Sequence, residues 1–228
     1  MLNTINESYI GKKVLISGSG NVAQYATELL IKKGAKVLTL SDSAGTIYDE
    51  NGITTEKLEF IKDLKNNQRG RIKEYITKFP EAKYLKNQNP WSIKCDIALP
   101  CATQNELSLN DVNKLISNGV IVVGEGANMP LTKAAVDELI KNKILFSPGK
   151  ASNAEGVAVS GLEMAQNSIR LSWNEKEVLE KLENIMKSIH EICVKHGKDE
   201  TGFVNYVRGA NIGGFIKVAD AMIAQGLI

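Results

Sequence analysis

The 228-residue chain has no run of 18 apolar residues, so no segment is long enough to span a bilayer as a helix. It also lacks any block of five or six like charges. Its 28 Lys and Arg are scattered among 26 Asp and Glu, leaving a formal net charge of +2. Polyanion binders need a basic stripe or cluster, so neither nucleic acid nor a membrane surface is expected as a main partner. Cysteine and histidine are scarce. Cys95, Cys101 and Cys193 are odd in number and form no CxxC, which fits free thiols in a reducing compartment and a cytoplasmic location. His190 and His196 are six apart, not the i, i+4 spacing of a helical zinc pair, and no cysteine close in sequence completes a site; no metal is expected. Met1-Leu2-Asn3-Thr4 shows neither a charged n-region nor an apolar h-region, so a signal peptide is not expected. What remains is 43% hydrophobic and 24% charged, the balance of a globular chain able to bury one large core or two small ones.

The pattern along that chain alternates. Lys13 to Ser17 is a short β-branched run entering Gly18-Ser19-Gly20, and Asn21 to Lys33 follows with helical spacing of Val22, Ala23, Ala26, Leu29 and Leu30 before Gly34. Lys36 to Leu40 reads as a second strand, ending at Ser41-Asp42-Ser43, so the first 43 residues form a βαβ unit with parallel strands. Residues 44–94 are more polar, with helices expected over Thr55–Lys65 (Thr54 as N-cap) and Arg71–Phe79. Strands at Asp96–Leu99, Val120–Val123 and Ile144–Phe146 then alternate with helices at Asn110–Ser117 and Thr132–Lys141. After Ser147 the strands stop. Helices are expected over Ala154–Ser172 with Asn153 as N-cap, from the capping-box pattern Asn174-Glu175-Lys176-Glu177 through Ile192, and over about Phe203–Gln225. The expected fold is α/β: a Rossmann-like, doubly wound, mostly parallel sheet over residues 1–150 with a C-terminal helical extension over 151–228.

Gly18-Ser19-Gly20-Asn21-Val22-Ala23 fits G-x-G-x-x-G/A, directly after a strand and opening a helix. Gly18 allows the tight turn, Gly20 lets a pyrophosphate approach the backbone, and Ala23 lets the helix press on the sheet. The first N–H groups of that helix have no internal partners and carry the positive end of its dipole, so an anion is favoured there. Asp42 ends the next strand 22 residues past Gly20, where an acid can accept hydrogen bonds from an adenosine ribose. The context predicts dinucleotide binding.

The choice of dinucleotide turns on the surroundings of Asp42. Alone it favours NAD, because a 2′-phosphate 4 Å away would be repelled by about 1 kcal/mol in water and about 4 kcal/mol at an effective dielectric of 20. Ser43 can donate to phosphate oxygens, however, and Lys65, Arg69 and Arg71 lie where a loop could fold over the adenosine and offset the carboxylate. Pro100-Cys101-Ala102-Thr103-Gln104-Asn105 and Gly124-Glu125-Gly126-Ala127-Asn128-Met129-Pro130 follow two further strand ends, which places them on the ligand side of such a sheet. No histidine lies in these loops, and Lys150 reads as a surface lysine, so no catalytic residue is expected in this chain.

Taken together, Ser17-Gly18-Ser19-Gly20-Asn21-Val22-Ala23-Gln24-Tyr25-Ala26, Ser41-Asp42-Ser43, Ala98-Leu99-Pro100-Cys101-Ala102-Thr103-Gln104-Asn105-Glu106, Gly126-Ala127-Asn128-Met129-Pro130, Gly161-Leu162-Glu163-Met164-Ala165-Gln166-Asn167, Gly209-Ala210-Asn211-Ile212-Gly213-Gly214-Phe215 and Ala219-Asp220-Ala221-Met222 resemble the coenzyme domain of hexameric NADP-type glutamate dehydrogenases. The resemblance runs over essentially all 228 residues. It implies NADP as cofactor, with NAD as the alternative, and the interconversion of L-glutamate with 2-oxoglutarate and ammonia. It implies that Gly18, Gly20, Asn21 and Val22 hold the pyrophosphate, that Ser43 and Lys65 meet the 2′-phosphate, and that Ala102, Thr103 and Asn128 line the nicotinamide half. Asn153, Val157 and Ser160 would face the substrate, Ser160 reaching the side-chain carboxylate of glutamate.

The family's N-terminal substrate domain, which carries its catalytic lysines and aspartate, has no counterpart in these residues. The chain therefore resembles the C-terminal half of an enzyme whose complete form would be a homohexamer. Glu155 stands where the family usually has glycine, which would be costly if the position needs a positive φ. A leucine- or phenylalanine-type amino acid dehydrogenase is the nearest alternative, and the Ser160 hydroxyl argues against its apolar pocket. A non-catalytic nucleotide-binding module is the alternative from another class.

Overall fold

The computed structural model describes residues 1–226 of the chain. They divide into two compact units, the first Met1–Phe146 and the second from Ser147 onward. In the first unit β1 (Lys13–Ile16) feeds α1 (Asn21–Lys32), which returns to β2 (Lys36–Val37) parallel to β1. Val14, Leu15 and Ile16 are all fully buried, as expected of a parallel strand covered on both faces. β6 (Ile97–Leu99) lies on the other side of β1, again parallel, and β7 (Val122–Gly124) and β8 (Leu145–Ser147) continue outward in the order β2-β1-β6-β7-β8. α4 (Leu109–Ser117) and α5 (Lys133–Lys141) connect these strands, with Ser108 and Thr132 as N-caps whose hydroxyls accept from the Asp111 and Ala135 amides. The α/β architecture read from the alternating pattern is the one observed.

The second strand departs from that reading. Lys36–Leu40 is not one strand: β2 stops at Val37, and β3 (Thr39–Asp42) turns away to pair antiparallel with β4 (Gly45–Tyr48), which pairs antiparallel with β5 (Lys83–Lys86). Thr39 explains the break. Its hydroxyl sits between the Ile16 N–H and C=O, 3.0 Å from each, accepting from one and donating to the other. A side chain thus closes the end of β1, and the backbone beyond Thr39 is released into a second, three-stranded sheet. Sequence reading missed β4 and β5 altogether, because each is four residues long and set in a polar stretch.

Between those strands lie α2 (Thr55–Lys62), a π-helical turn over Asp63–Asn67, and the single-turn α3 (Tyr75–Lys78). A buried cluster ties them to the hairpin. Asp49, just past β4, accepts from the Lys57 ammonium and the Tyr75 hydroxyl, each at 2.6 Å. Burial first, then the hydrogen bond to Asp49 and its charge, raises the Tyr75 pKa, so the phenol remains a donor.

The second unit is helical: α6 (Gly149–Ser152), α7 (Glu155–Ile169), α8 (Glu175–Gly197) and α9 (Tyr206–Gln225). Asn153 is not the N-cap expected for a helix from Ala154; it caps the C-terminus of α6, whose turn is set by Pro148 O accepting from Ala151 N and Ser152 N. Ala154 stands before α7, and Arg170, in the left-handed region at φ 57°, ends it. The Asn174/Glu177 capping box forms as read, with bonds of 3.0 and 2.8 Å. α8 and α9 pack on one another, burying Cys193, Gly197, Tyr206 and Gly209.

The hydroxyl at Thr39 gives a test of how the two sheets part. Thr39→Val leaves the Ile16 N–H and C=O buried without that partner, and the unfolding free energy in urea is expected to fall by about 1–3 kcal/mol. Thr39→Ser keeps the bonds and should lose far less.

Candidate functional site

The strand order reverses at β1. From it the chain runs one way to β2 and later the other way to β6, so the carboxyl ends of β1 and β6 flank a switch-point crevice, where open α/β sheets bind ligands. Gly18 stands at the end of β1 with φ +81°, and a Cβ there would come within 3.0 Å of Cys101 O, in the loop after β6. Only glycine meets both demands. The turn is locked from the other side by Ser41: Gly18 N donates to Ser41 Oγ at 2.8 Å, and Ser41 N donates to Gly18 O at 2.9 Å.

Gly20 is the N-cap of α1, and no side chain caps this helix. A Cβ on Gly20 would meet nothing within 4 Å. Asn21 and Val22 are exposed, whereas Ala23 is fully buried against the sheet. Uncapped amides under open space are what a diphosphate requires, so the residues present fit a dinucleotide at this turn. Gln24 Nε2 donates to Ser19 O at 2.8 Å, and its amide exchanges two 3.1 Å hydrogen bonds with Asn66. That pair fixes the turn to the π-helical segment carrying Lys65.

Past the end of β3, the structure brings three of the expected polar groups together. Asp42 Oδ1 accepts from Ala44 N at 2.9 Å and Oδ2 from Ile72 N at 3.0 Å. Both oxygens therefore already hold backbone donors, a structural duty beyond the ribose role read from sequence. The Ile72 bond draws the basic segment over the hairpin, where Arg71 Nη1 donates to Ser43 Oγ at 3.0 Å. Lys65 Nζ donates to Gly70 O at 2.9 Å, next to Arg71 in the chain, and Glu74 Oε1 accepts from Arg71 N at 2.8 Å. Arg69 enters the same turn with φ 53°.

The two loops after β6 and β7 form an open cavity of about 490 Å³ lined by Ala102, Thr103, Gln104, Ala127 and Asn128. Ala102, Thr103 and Asn128, which the resemblance implies for the nicotinamide half, are among the lining residues. The loops hang on each other: Pro100 O accepts from Gly126 N at 3.1 Å and Ala127 N at 3.0 Å, and Asn105 N donates to Met129 O at 3.0 Å. A Cβ on Gly126 would stand 3.3 Å from Val22 Cγ1, so the second loop also touches the start of α1.

The first loop closes on a carboxylate. Glu106 Oε1 accepts from Ser17 Oγ at 2.9 Å, Ala102 N at 3.0 Å and Thr103 N at 3.3 Å, while Ser17 Oγ accepts from Cys101 N at 2.9 Å. Desolvation raises the Glu106 pKa, and these three donors pull against it. The neighbouring Cys101 thiol is pushed up to about 12, by burial first and by Glu106 second, which leaves it inert at neutral pH. In the sequence Glu106 stands out only as the last residue of the Ala98–Glu106 motif. The signal available was a lone acid in a loop of small and amide residues, directly before buried Leu107.

The remaining expected residues belong to the second unit. Asn153 lies between α6 and α7; Val157 and Ser160 are three residues apart on α7, hence on one face, and both are exposed. Ser160 Oγ donates to Gly156 O at 3.1 Å. Lys150 donates to Asn211 Oδ1, linking α6 to α9. Glu155 is the first residue of α7 and is not among the residues of positive φ, so the strain feared for a non-glycine there does not arise. An acid in a first helical turn is favoured by the dipole.

Comparison with known proteins follows this geometry. Residues 1–226 match the family model described as glutamate/leucine/phenylalanine/valine dehydrogenase. The NAD(P)-specific glutamate dehydrogenase of Xylanibacter ruminicola is 59% identical over 227 residues, covering 100% of this chain and 51% of that protein. The NADP-specific glutamate dehydrogenase of Haemophilus influenzae is 55% identical over 228 residues, again covering 100% of this chain and 51% of that protein. The crystal structure of Plasmodium falciparum glutamate dehydrogenase superposes with a TM-score of 0.93 at 46% identity, covering 100% of this chain and 49% of that one. The chain thus spans about half the length of the relatives it matches.

Gly20→Ser isolates the role of the open helix end. Serine is a good N-cap, so thermal stability should hold or rise slightly. Its side chain would occupy the approach to the uncapped amides, and affinity for a nicotinamide dinucleotide, read by fluorescence titration, is expected to fall at least about tenfold.

Proposed function

The chain belongs to the glutamate/leucine/phenylalanine/valine dehydrogenase family, and we propose that it is the coenzyme-binding part of an NADP-using, cytoplasmic glutamate dehydrogenase. The activity served is the oxidative deamination of L-glutamate to 2-oxoglutarate and ammonia, and its reverse. Residues 1–150 supply the dinucleotide core and residues 151–228 the helices that face the substrate. The observation that carries this reading is the uncapped start of α1 above Gly20, beside the cavity between the loops after β6 and β7.

In this reading Gly18, Gly20, Asn21 and Val22 receive the diphosphate, whose charge is met by backbone amides and the helix dipole. Ser43, Arg71 and Lys65 receive the 2′-phosphate. The Arg71–Ser43 bond supports this assignment, because it sets a guanidinium and a hydroxyl side by side. Asp42, its oxygens held by Ala44 N and Ile72 N, acts chiefly on the loop that carries Arg71. Ala102, Thr103 and Asn128 take the nicotinamide end, and Asn153, Val157 and Ser160 take the substrate, with the Ser160 hydroxyl donating to its side-chain carboxylate. When bound, the coenzyme supplies the hydride acceptor; these residues orient it.

Among the described residues, no titratable side chain lines the cavity. Deamination needs a base of tuned pKa beside the reacting carbon, and in this reading that base lies outside the 228 residues. The complete enzyme is a homohexamer in this reading.

Titration of the 228-residue chain tests it. NADPH should saturate and bind more tightly than NADH, with no turnover of glutamate and NADP. Arg71→Gln removes one charge-assisted bond and should cut the preference for NADPH by roughly 10- to 100-fold. Equal binding of the two coenzymes, no binding of either, or glutamate oxidation by this chain alone would each overturn part of the proposal.

A further inference from the structure

The loop Cys101–Thr103 forms one wall of the cavity, yet it lies outside any helix or strand. Three of its backbone N–H groups are nevertheless satisfied, and all three bonds run to one pair of side chains. Cys101 N donates to Ser17 Oγ, and Ala102 N and Thr103 N donate to Glu106 Oε1. Ser17 Oγ donates onward to the same Glu106 oxygen. A single oxygen therefore gathers the loop and pins it to the end of β1. Without it, the amides of Ala102 and Thr103 would have to find other acceptors, and the loop would be free to move.

The hydrogen bonds of the turn that carries Gly18 do not use this oxygen. Its two bonds run to Ser41, and Ser17 N is held by Leu99 O at 3.3 Å. Two halves of one crevice thus have separate anchors, Ser41 for the turn beneath the diphosphate and Glu106 for the loop at the cavity.

We propose that Glu106 is a positioning residue for the nicotinamide end of the coenzyme, acting through the Cys101–Thr103 loop and through the acceptor capacity of Oε1 rather than through its charge. The proposal rests on the coenzyme reading above. Since all three donors converge on Oε1, the amide oxygen of glutamine can replace it, whereas alanine cannot.

The test is equilibrium binding of two ligands to the 228-residue chain: NADPH, and 2′-phospho-ADP-ribose, which keeps the adenosine and diphosphate but lacks nicotinamide. In Glu106→Ala, NADPH should weaken at least about tenfold while 2′-phospho-ADP-ribose changes by less than about threefold. Glu106→Gln should return NADPH affinity to within about threefold of the parent chain. Unchanged NADPH binding in Glu106→Ala would overturn the proposal, as would parallel loss of both ligands, which marks a purely structural role. Glu106→Gln as weak as Glu106→Ala would overturn it too, since charge would then matter. If the parent chain bound neither ligand, the coenzyme reading would fail instead.

Discussion

The close approach of Gly18 to Cys101 governs the arrangement of the site. Two strand ends that are neighbours in the sheet, β1 and β6, can lie this near only because Gly18 has a left-handed φ and no side chain. Once they do, the start of α1, the Cys101–Thr103 loop and the Gly126–Asn128 loop have little freedom. Gly126 leaves beside Val22 only space that a Cβ would crowd, and Pro100 O holds the amides of Gly126 and Ala127. The open space over Gly20 is the complement of that tight packing. Among the described residues no side chain caps α1 there.

Charge at the adenosine end follows a similar logic. A carboxylate at the end of β3 would by itself repel a 2′-phosphate. Asp42 instead accepts from Ile72 N and thereby draws Arg71 across to Ser43. The residue read from sequence as an argument for NAD is thus part of what brings the cation to that corner. The buried Asp49, Lys57 and Tyr75 cluster supports the same segment from below, fixing the turn that begins at Ile72 to the hairpin.

Much of this was legible in the sequence where one local rule decides the outcome. The Gly18–Ala23 turn, the N-caps Thr54 and Asn174, and the strands at 97–99 and 122–124 depend on neighbours within a few residues. What was not legible depends on partners far along the chain. The break after Val37 requires Thr39 to meet Ile16, 23 residues back. β4 and β5 are short and gain their stability only by pairing, Thr46 opposite Leu85 and Ile47 opposite Tyr84. Glu106 finds Ser17 across 89 positions, and no spacing rule announces that contact.

These long-range contacts also explain why the crevice can read two chemically unlike halves of one ligand. A dinucleotide presents a rigid anionic bridge in the middle, and its two ends make different demands. A single anchor would couple errors at one end to the other. Here Ser41, from the strand that leads to the adenosine corner, holds the turn, and Glu106, from the segment before α4, holds the cavity wall. The two sets of hydrogen bonds adjoin at the backbone between Ser17 and Gly18, where the Cys101 loop also packs on Gly18. At that junction Ser17 N and Gly18 N are both hydrogen-bonded to groups other than Glu106, so the turn keeps its own bonds when the cavity wall is displaced. Because the two hydrogen-bond sets share no partner, affinity at one end can change more than at the other.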